Sequence, residues 1–117
     1  MAQSFLTWAR KGWAEKTHYV FLITDLDGEI VAAVDIKSNT LENAEIGYWA
    51  SSTSPGLVSH AVAMICLIGR EAGYTSFIGL TLPDNEKSAS VLRRNLFSDL
   101  GIVEDRGKRY RKFRKEL

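Results

Sequence analysis

One junction constrains this chain more than any other feature. Residues 75–82 are apolar and β-branched, Pro83 interrupts them, and Asp84-Asn85-Glu86-Lys87-Ser88 leads into Ala89, Val91 and Leu92. Proline has no N–H for a strand ladder, so the strand must stop there. Asn or Asp followed by a helical apolar stripe is how a helix opens, here at Asp84 or Asn85. Strand-to-helix junctions of α/β proteins leave unpaired backbone N–H groups, the ready place for an anionic cofactor. A second junction lies upstream. Ala44-Glu45-Ile46-Gly47-Tyr48-Trp49-Ala50 has strand character and is followed by the polar loop Ser51 to Ser54. Ser54 suits an N-cap and Pro55 suits the first helical position. Two such junctions in this order suggest a cofactor site.

The remaining chain supplies a frame for them. Phe5, Leu6, Ala9 and Trp13 recur at helical spacing opposite Arg10, Lys11 and Glu15, which predicts an amphipathic helix over residues 4–15. Two apolar β-type runs, 19–24 and 29–36, flank Asp25-Leu26-Asp27-Gly28, so they predict a hairpin. Val58, Ala61, Val62, Ile65, Ile68 and Ala72 predict the buried stripe of a helix ending near Gly73. Ile78, Leu80 and Leu82 would share one face of the strand over 75–82. A helix follows over 84–94, with Ala89, Val91 and Leu92 inward. Residues 101–104 and 109–113 read as strands around an Arg106-Gly107 turn, although Tyr110, Phe113 and Leu117 also fit helical spacing.

The third and fourth strands are joined by a helix, which favours a parallel pair, whereas the first strands are antiparallel by hairpin logic. The expected fold class is α/β: a mixed, mostly antiparallel sheet flanked by helices, in a single domain over 1–117. At 117 residues a chain buries a real core without metal or disulfide staples. Its one cysteine, Cys66, excludes an internal disulfide and fits a reducing cytoplasm. No apolar run is long enough to span a bilayer, and no secretory signal core follows Met1. A net charge of +1 gives no overall bias toward nucleic acid or membrane. Neither histidine has a partner spaced for a metal site.

The two junctions together resemble the GCN5-related N-acetyltransferases, in the branch of the ribosomal-protein N-terminal (RimJ/RimL-like) enzymes. The resemblance rests on Ala44-Glu45-Ile46-Gly47-Tyr48-Trp49, on a Pro55-Gly56 loop opening a helix, and on Leu82-Pro83-Asp84-Asn85-x-x-Ser88-x-x-Val91-Leu92 with the later Phe97. It covers roughly residues 19–105. It implies a shortened acetyltransferase-like fold, without the family's first strand and helix. It implies acetyl-CoA as cosubstrate and a primary amine as acceptor. By the same resemblance Tyr48, Trp49, Ser54, Gly56, Leu57 and Asn85 would hold the cofactor, Ser88 would protonate the leaving thiolate, and Glu45 would take a proton from the amine. The chain departs from the pattern in two further places. Ser54-Pro55-Gly56-Leu57-Val58 lacks the arginine and one glycine of the usual phosphate loop, and Asn95-Leu96-Phe97 replaces Leu-Gly-Phe.

Each of these residues also has a purely structural reading. Asn85 and Ser88 serve as a helix cap and a first-turn hydroxyl, Glu45 as a solvent-facing strand residue, and Gly47, Tyr48 and Trp49 as bulge and core. The alternative function is a catalytically inactive, dimeric module binding CoA or a protein. If the strand order follows the family, Tyr19 to Thr24 becomes a sheet edge that its apolar residues Tyr19 to Ile23 suit poorly, so it is expected to be covered by the N-terminal helix or paired across a homodimer. The basic run Lys108 to Lys115 suits a solvated edge hairpin better than a nucleic-acid surface.

Overall fold

The computed structural model describes residues 2–51 and 56–117. The expected order of elements holds: α1 (Ala2–Glu15), β1 (Tyr19–Thr24), β2 (Ile30–Ile36), β3 (Ala44–Ala50), α2 (Leu57–Glu71), β4 (Ser76–Thr81), α3 (Glu86–Arg94), β5 (Ser98–Asp105) and β6 (Lys108–Glu116). Six strands form one sheet in the order β1-β2-β3-β4-β6-β5. Only β3 and β4 pair in parallel, across the α2 connection; the other neighbours are antiparallel.

Side-chain direction alternates along each strand, so pairing register assigns the faces. Val34, Ile36, Ala44, Ile46, Phe77 and Phe113 meet Ala61, Val62 and Ile65 of α2 and Ala89 and Leu92 of α3 in one core cluster. On the opposite face, α1 brings Phe5 to Trp49 at 6.5 Å between ring centroids and Trp8 beneath the Lys37 ammonium. The sheet is therefore sandwiched between α1 and the α2–α3 layer.

Strand β1 is an edge, and α1 covers it. The Trp13 indole N–H donates to the Val20 carbonyl at 2.9 Å, and its ring meets Tyr19 and Phe21 edge-on. This arrangement satisfies an edge acceptor that would otherwise template another strand. The adjoining turn closes on Asp25, whose Oδ1 accepts from the backbone N–H groups of Asp27 and Glu29.

Four local expectations need correction. The buried stripe of α2 is Ala61, Val62, Ile65, Cys66 and Gly69, whereas Ile68 is 37% exposed and Ala72 also lies outward. Strand β4 ends at Thr81, so Leu82 lies beyond it, while Ile78 and Leu80 share a half-buried face as expected, opposite the buried Phe77 and Gly79. A β-carbon at Gly79 would stand 2.9 Å from Leu92 Cδ1, so α3 can pack directly on the strand only over glycine. The basic tail is β6, an inner strand rather than an edge, and β5 takes the edge with a register shift between Asp99 and Ile102. Finally, α2 is capped by Gly56 in a left-handed conformation with no side-chain cap, two residues later than the Pro55 start expected; Ser54 and Pro55 lie outside the described residues.

Candidate functional site

The β3–β4 ladder holds for three positions, Ala44↔Phe77, Glu45↔Ile78 and Ile46↔Gly79, and then stops. Both strands continue, β3 to Ala50 and β4 to Thr81, without pairing to each other. An opening in the middle of a sheet leaves backbone polar groups free for another partner. Tyr48 lies in this unpaired stretch and faces α3.

Helix α3 supplies the other wall. Asn85 is its N-cap, and its Oδ1 accepts from the Ser88 N–H at 3.1 Å. The structural reading of Asn85 is thus met, while the residue also lines the groove described next. Ser88 Oγ lies 2.8 Å from the Tyr48 hydroxyl, which is also 3.0 Å from the Ser88 carbonyl oxygen. Burial raises the Tyr48 phenol above its ordinary value of 10.0, opposed by the Ser88 hydrogen bond. At neutral pH it keeps its proton and is a hydrogen-bond donor.

Two cavities meet at this pair. A groove of about 730 Å³ runs from Tyr48, Trp49 and Ser88 along Asn85 and Lys87 to Arg94, Gly56 and Ser59. Asn95 ties its far end together: its amide nitrogen donates to the Ser59 carbonyl at 3.1 Å, fixing the last turn of α3 against the first turn of α2. Lys87 and Arg94 make no ion pair among the described residues. A second cavity of about 430 Å³ lies on the α1 side, walled by Phe5, Trp8, Trp49 and Leu80 and by Asp35, Lys37 and Glu45. Tyr48, Trp49 and Ser88 line both.

The second cavity is charged and aromatic. Asp35 is 7% exposed and 3.2 Å from the Lys37 ammonium, yet its Oδ1 finds no well-aligned hydrogen bond. Lys37 passes over Gly47, where a β-carbon would stand 2.8 Å from Nζ, so a larger residue there would push the ammonium aside. Glu45 is partly exposed and 3.9 Å from the Arg106 guanidinium. No group of His, Cys, Asp and Glu among the described residues forms a metal site.

Most of the residues singled out in the sequence are brought together. Tyr48, Trp49, Gly56, Asn85 and Ser88 line the larger groove, and Glu45 lines the smaller cavity. Leu57 starts α2 beside the groove without lining it, and Ser54 is outside the described residues. Sequence reasoning missed Asp35, Lys37, Lys87 and Arg94. A carboxylate inside the apolar run Ile30 to Ile36 was the available signal for Asp35, because a buried carboxylate needs a partner. Among the basic residues of β6, Arg111 pairs with Asp99, Arg114 with Glu116, and Lys115 donates to the Asn95 carbonyl.

The domain is thus a helix-covered mixed α/β sheet opened beside its parallel pair, with a long groove on one side of the opening and a shorter, charged cavity on the other. The chain belongs to the acetyltransferase (GNAT) domain family, whose model matches residues 1–98. That match carries the resemblance back through α1 to the start of the chain. Solved structures of the same fold include one described as a ribosomal-protein-serine acetyltransferase from Vibrio cholerae, 20% identical, with a TM-score of 0.87 over 99% of this chain. Mycobacterium smegmatis RimJ in complex with CoA-disulfide is 24% identical, with a TM-score of 0.79 over 98% of this chain. The microcin C7 self-immunity acetyltransferase MccE, in complex with acetyl-CoA and AMP, is 21% identical, with a TM-score of 0.81 over 97% of it. The chain spans 74%, 60% and 69% of those three proteins respectively. No curated protein sequence matches it, and no helix among the described residues is long and apolar enough to cross a membrane.

Proposed function

We propose that this domain is an acetyl-CoA-dependent N-acetyltransferase acting on a primary amine. One observation carries the reading: two cavities of opposite character open onto the same Tyr48–Ser88 pair. The larger groove fits a long, anionic thiol carrier. Lys87 and Arg94 supply positive charge in place of the arginine absent from the loop. Gly56 leaves open space at the N-terminus of α2, where unpaired N–H groups favour phosphate. Asn85 and Ser88 stand where the chain enters the sheet opening. The bound acetyl-CoA would supply an activated acetyl thioester.

The protein's own tasks follow from position. The unpaired backbone of β3 can hold the arm and its carbonyl by hydrogen bonds. Trp49 and Phe5 meet edge-on beside the junction and give it an aromatic wall. Glu45, on the short cavity's wall, accepts the proton that the amine loses, directly or through water, and Ser88 donates one to the departing sulfur. The carboxylates of Asp35 and Glu45 favour a cationic acceptor, since an amine arrives as ammonium at neutral pH.

A second reading has one observation in its favour. Glu45 is already near Arg106, and Asp35 near Lys37, as in a scaffold that keeps the cofactor groove without turnover. That reading is the inactive CoA- or protein-binding module, as a homodimer. Calorimetric titration with acetyl-CoA, followed by thiol release across a panel of amines, separates the two. Binding with amine-dependent thiol release is expected. Binding without release under every amine would select the module, and no binding at millimolar acetyl-CoA would remove both.

A further inference from the structure

The hydroxyl of Tyr48 adds nothing to the strand that carries it. Tyr48 shares its sheet face with the buried Ile46, and phenylalanine would fill the same space. Its oxygen instead reaches two atoms of Ser88, Oγ at 2.8 Å and the carbonyl oxygen at 3.0 Å. A phenol has one proton and can donate it to one of these at a time. When the phenol donates to the carbonyl, the 2.8 Å contact is a hydrogen bond only if Ser88 donates to Tyr48, and the Ser88 proton then stays inside the protein. When the phenol donates to Ser88 Oγ, the Ser88 proton is free to point into the junction of the two cavities. Asn85 Oδ1 fixes the backbone at Ser88 by accepting its N–H, and the Tyr48 hydroxyl is what holds Oγ in place. A small rotation of one O–H bond therefore decides whether Ser88 is a donor to the site.

We infer that Tyr48 is a positioning residue, which holds Ser88 Oγ at the meeting point of the two cavities and supplies the hydrogen bond that releases the Ser88 proton toward the sulfur of the cofactor. The inference rests on the acetyltransferase reading above. The protons balance without consuming the phenol's own. The acceptor nitrogen bonds to the acetyl carbon as the carbon–sulfur bond breaks, the electron pair of that bond stays on sulfur, and Ser88 gives its proton to the sulfur. Glu45 takes the proton lost by the acceptor nitrogen and passes it to water, and water restores the Ser88 hydroxyl. Tyr48 keeps its proton and shifts only its acceptor.

The test is a double-mutant cycle on the full chain with Tyr48→Phe, Ser88→Ala and the pair. Tyr48→Phe deletes one oxygen, and kcat should fall about tenfold, a fraction of what a general acid contributes. The KM for acetyl-CoA should move less than about twofold, which a general loosening of the groove would not produce. In the Ser88→Ala background the Tyr48→Phe change should have no further effect. A readout independent of turnover is alkylation of the thiol of bound CoA by iodoacetamide at fixed pH: Tyr48→Phe should slow it to the Ser88→Ala rate. Equal kcat losses with and without Ser88, or wild-type kcat and thiol reactivity in Tyr48→Phe, would overturn the inference alone. A wild-type chain that binds no acetyl-CoA would overturn the acetyltransferase reading as well.

Discussion

The two sides of β4 are built differently. Toward β6 the ladder runs the strand's whole length, from Ser76↔Glu116 to Thr81↔Arg111. Toward β3 it stops at Ile46↔Gly79, although both strands go on. The closed seam carries Phe113, fully buried beneath the Arg93 guanidinium and opposite Gly79. The open seam carries Tyr48, Trp49, Asn85 and Ser88 and both cavities. The same strand thus anchors the sheet with one edge and releases a site with the other. Unmet backbone hydrogen bonds are tolerable only because the opposite edge is fully paired and packed.

The sharpest way to test this division is to damage each seam in turn. Phe113→Ala, on the closed side, should lower unfolding free energy by about 3–5 kcal/mol in a urea titration. A loss under about 1 kcal/mol would show that the closed seam does not anchor the domain. On the open side, Ser88→Ala should cut acetyl transfer about 100-fold, yet leave the urea midpoint nearly unmoved. A large stability loss with retained turnover would reverse the assignment of the two seams. Asn85→Ala straddles the division. It should remove about 1 kcal/mol of stability as a lost helix cap and also weaken acetyl-CoA binding by calorimetry; unchanged affinity would confine Asn85 to capping.

The smallest effect belongs to the rim of the closed seam. The Gly101 backbone N–H, and then the Arg111 and Arg93 guanidinium groups, hold the Asp99 carboxyl below its ordinary value of 3.8. A depressed folded-state value means that Asp99 stabilises the fold above that ordinary value and loses this contribution as pH falls through the folded one. Asp99→Asn should therefore lower stability slightly near neutrality and blunt the acid limb of a stability-versus-pH curve, the two proteins converging at low pH. An equally steep acid limb in the variant would remove Asp99 from the account.

The order of elements, the bounds of β1 and β3 and the hairpin were legible because each rests on local chemistry: β-branched runs, an Asp-Gly turn, a proline stop. The buried face of α2 was not. Ile68 looks buried by spacing, but the position that meets Phe77 is Gly69, where a β-carbon would collide with the ring at 2.4 Å. Hydropathy assigns such a contact to the larger residue, and packing assigns it to the one that lets the neighbour in. At the site, Asn85, Ser88 and Glu45 were reachable through a motif. Asp35 and Lys37 were not, because their meaning comes from α1 closing a cavity over β2 and β3.

The sequence by itself determined the strand-to-helix junction before α3, since Pro83 and the Asn85 cap leave the backbone few alternatives. It also carried the family's motif blocks. Tertiary structure decided that β3 and β4 part after Ile46, that Tyr48 reaches across the gap to Ser88, and that free cations line one side and paired carboxylates the other. Those facts depend on which elements become neighbours, and residues 40 positions apart in the chain acquire a common role only when the sheet and α3 bring them within a hydrogen bond.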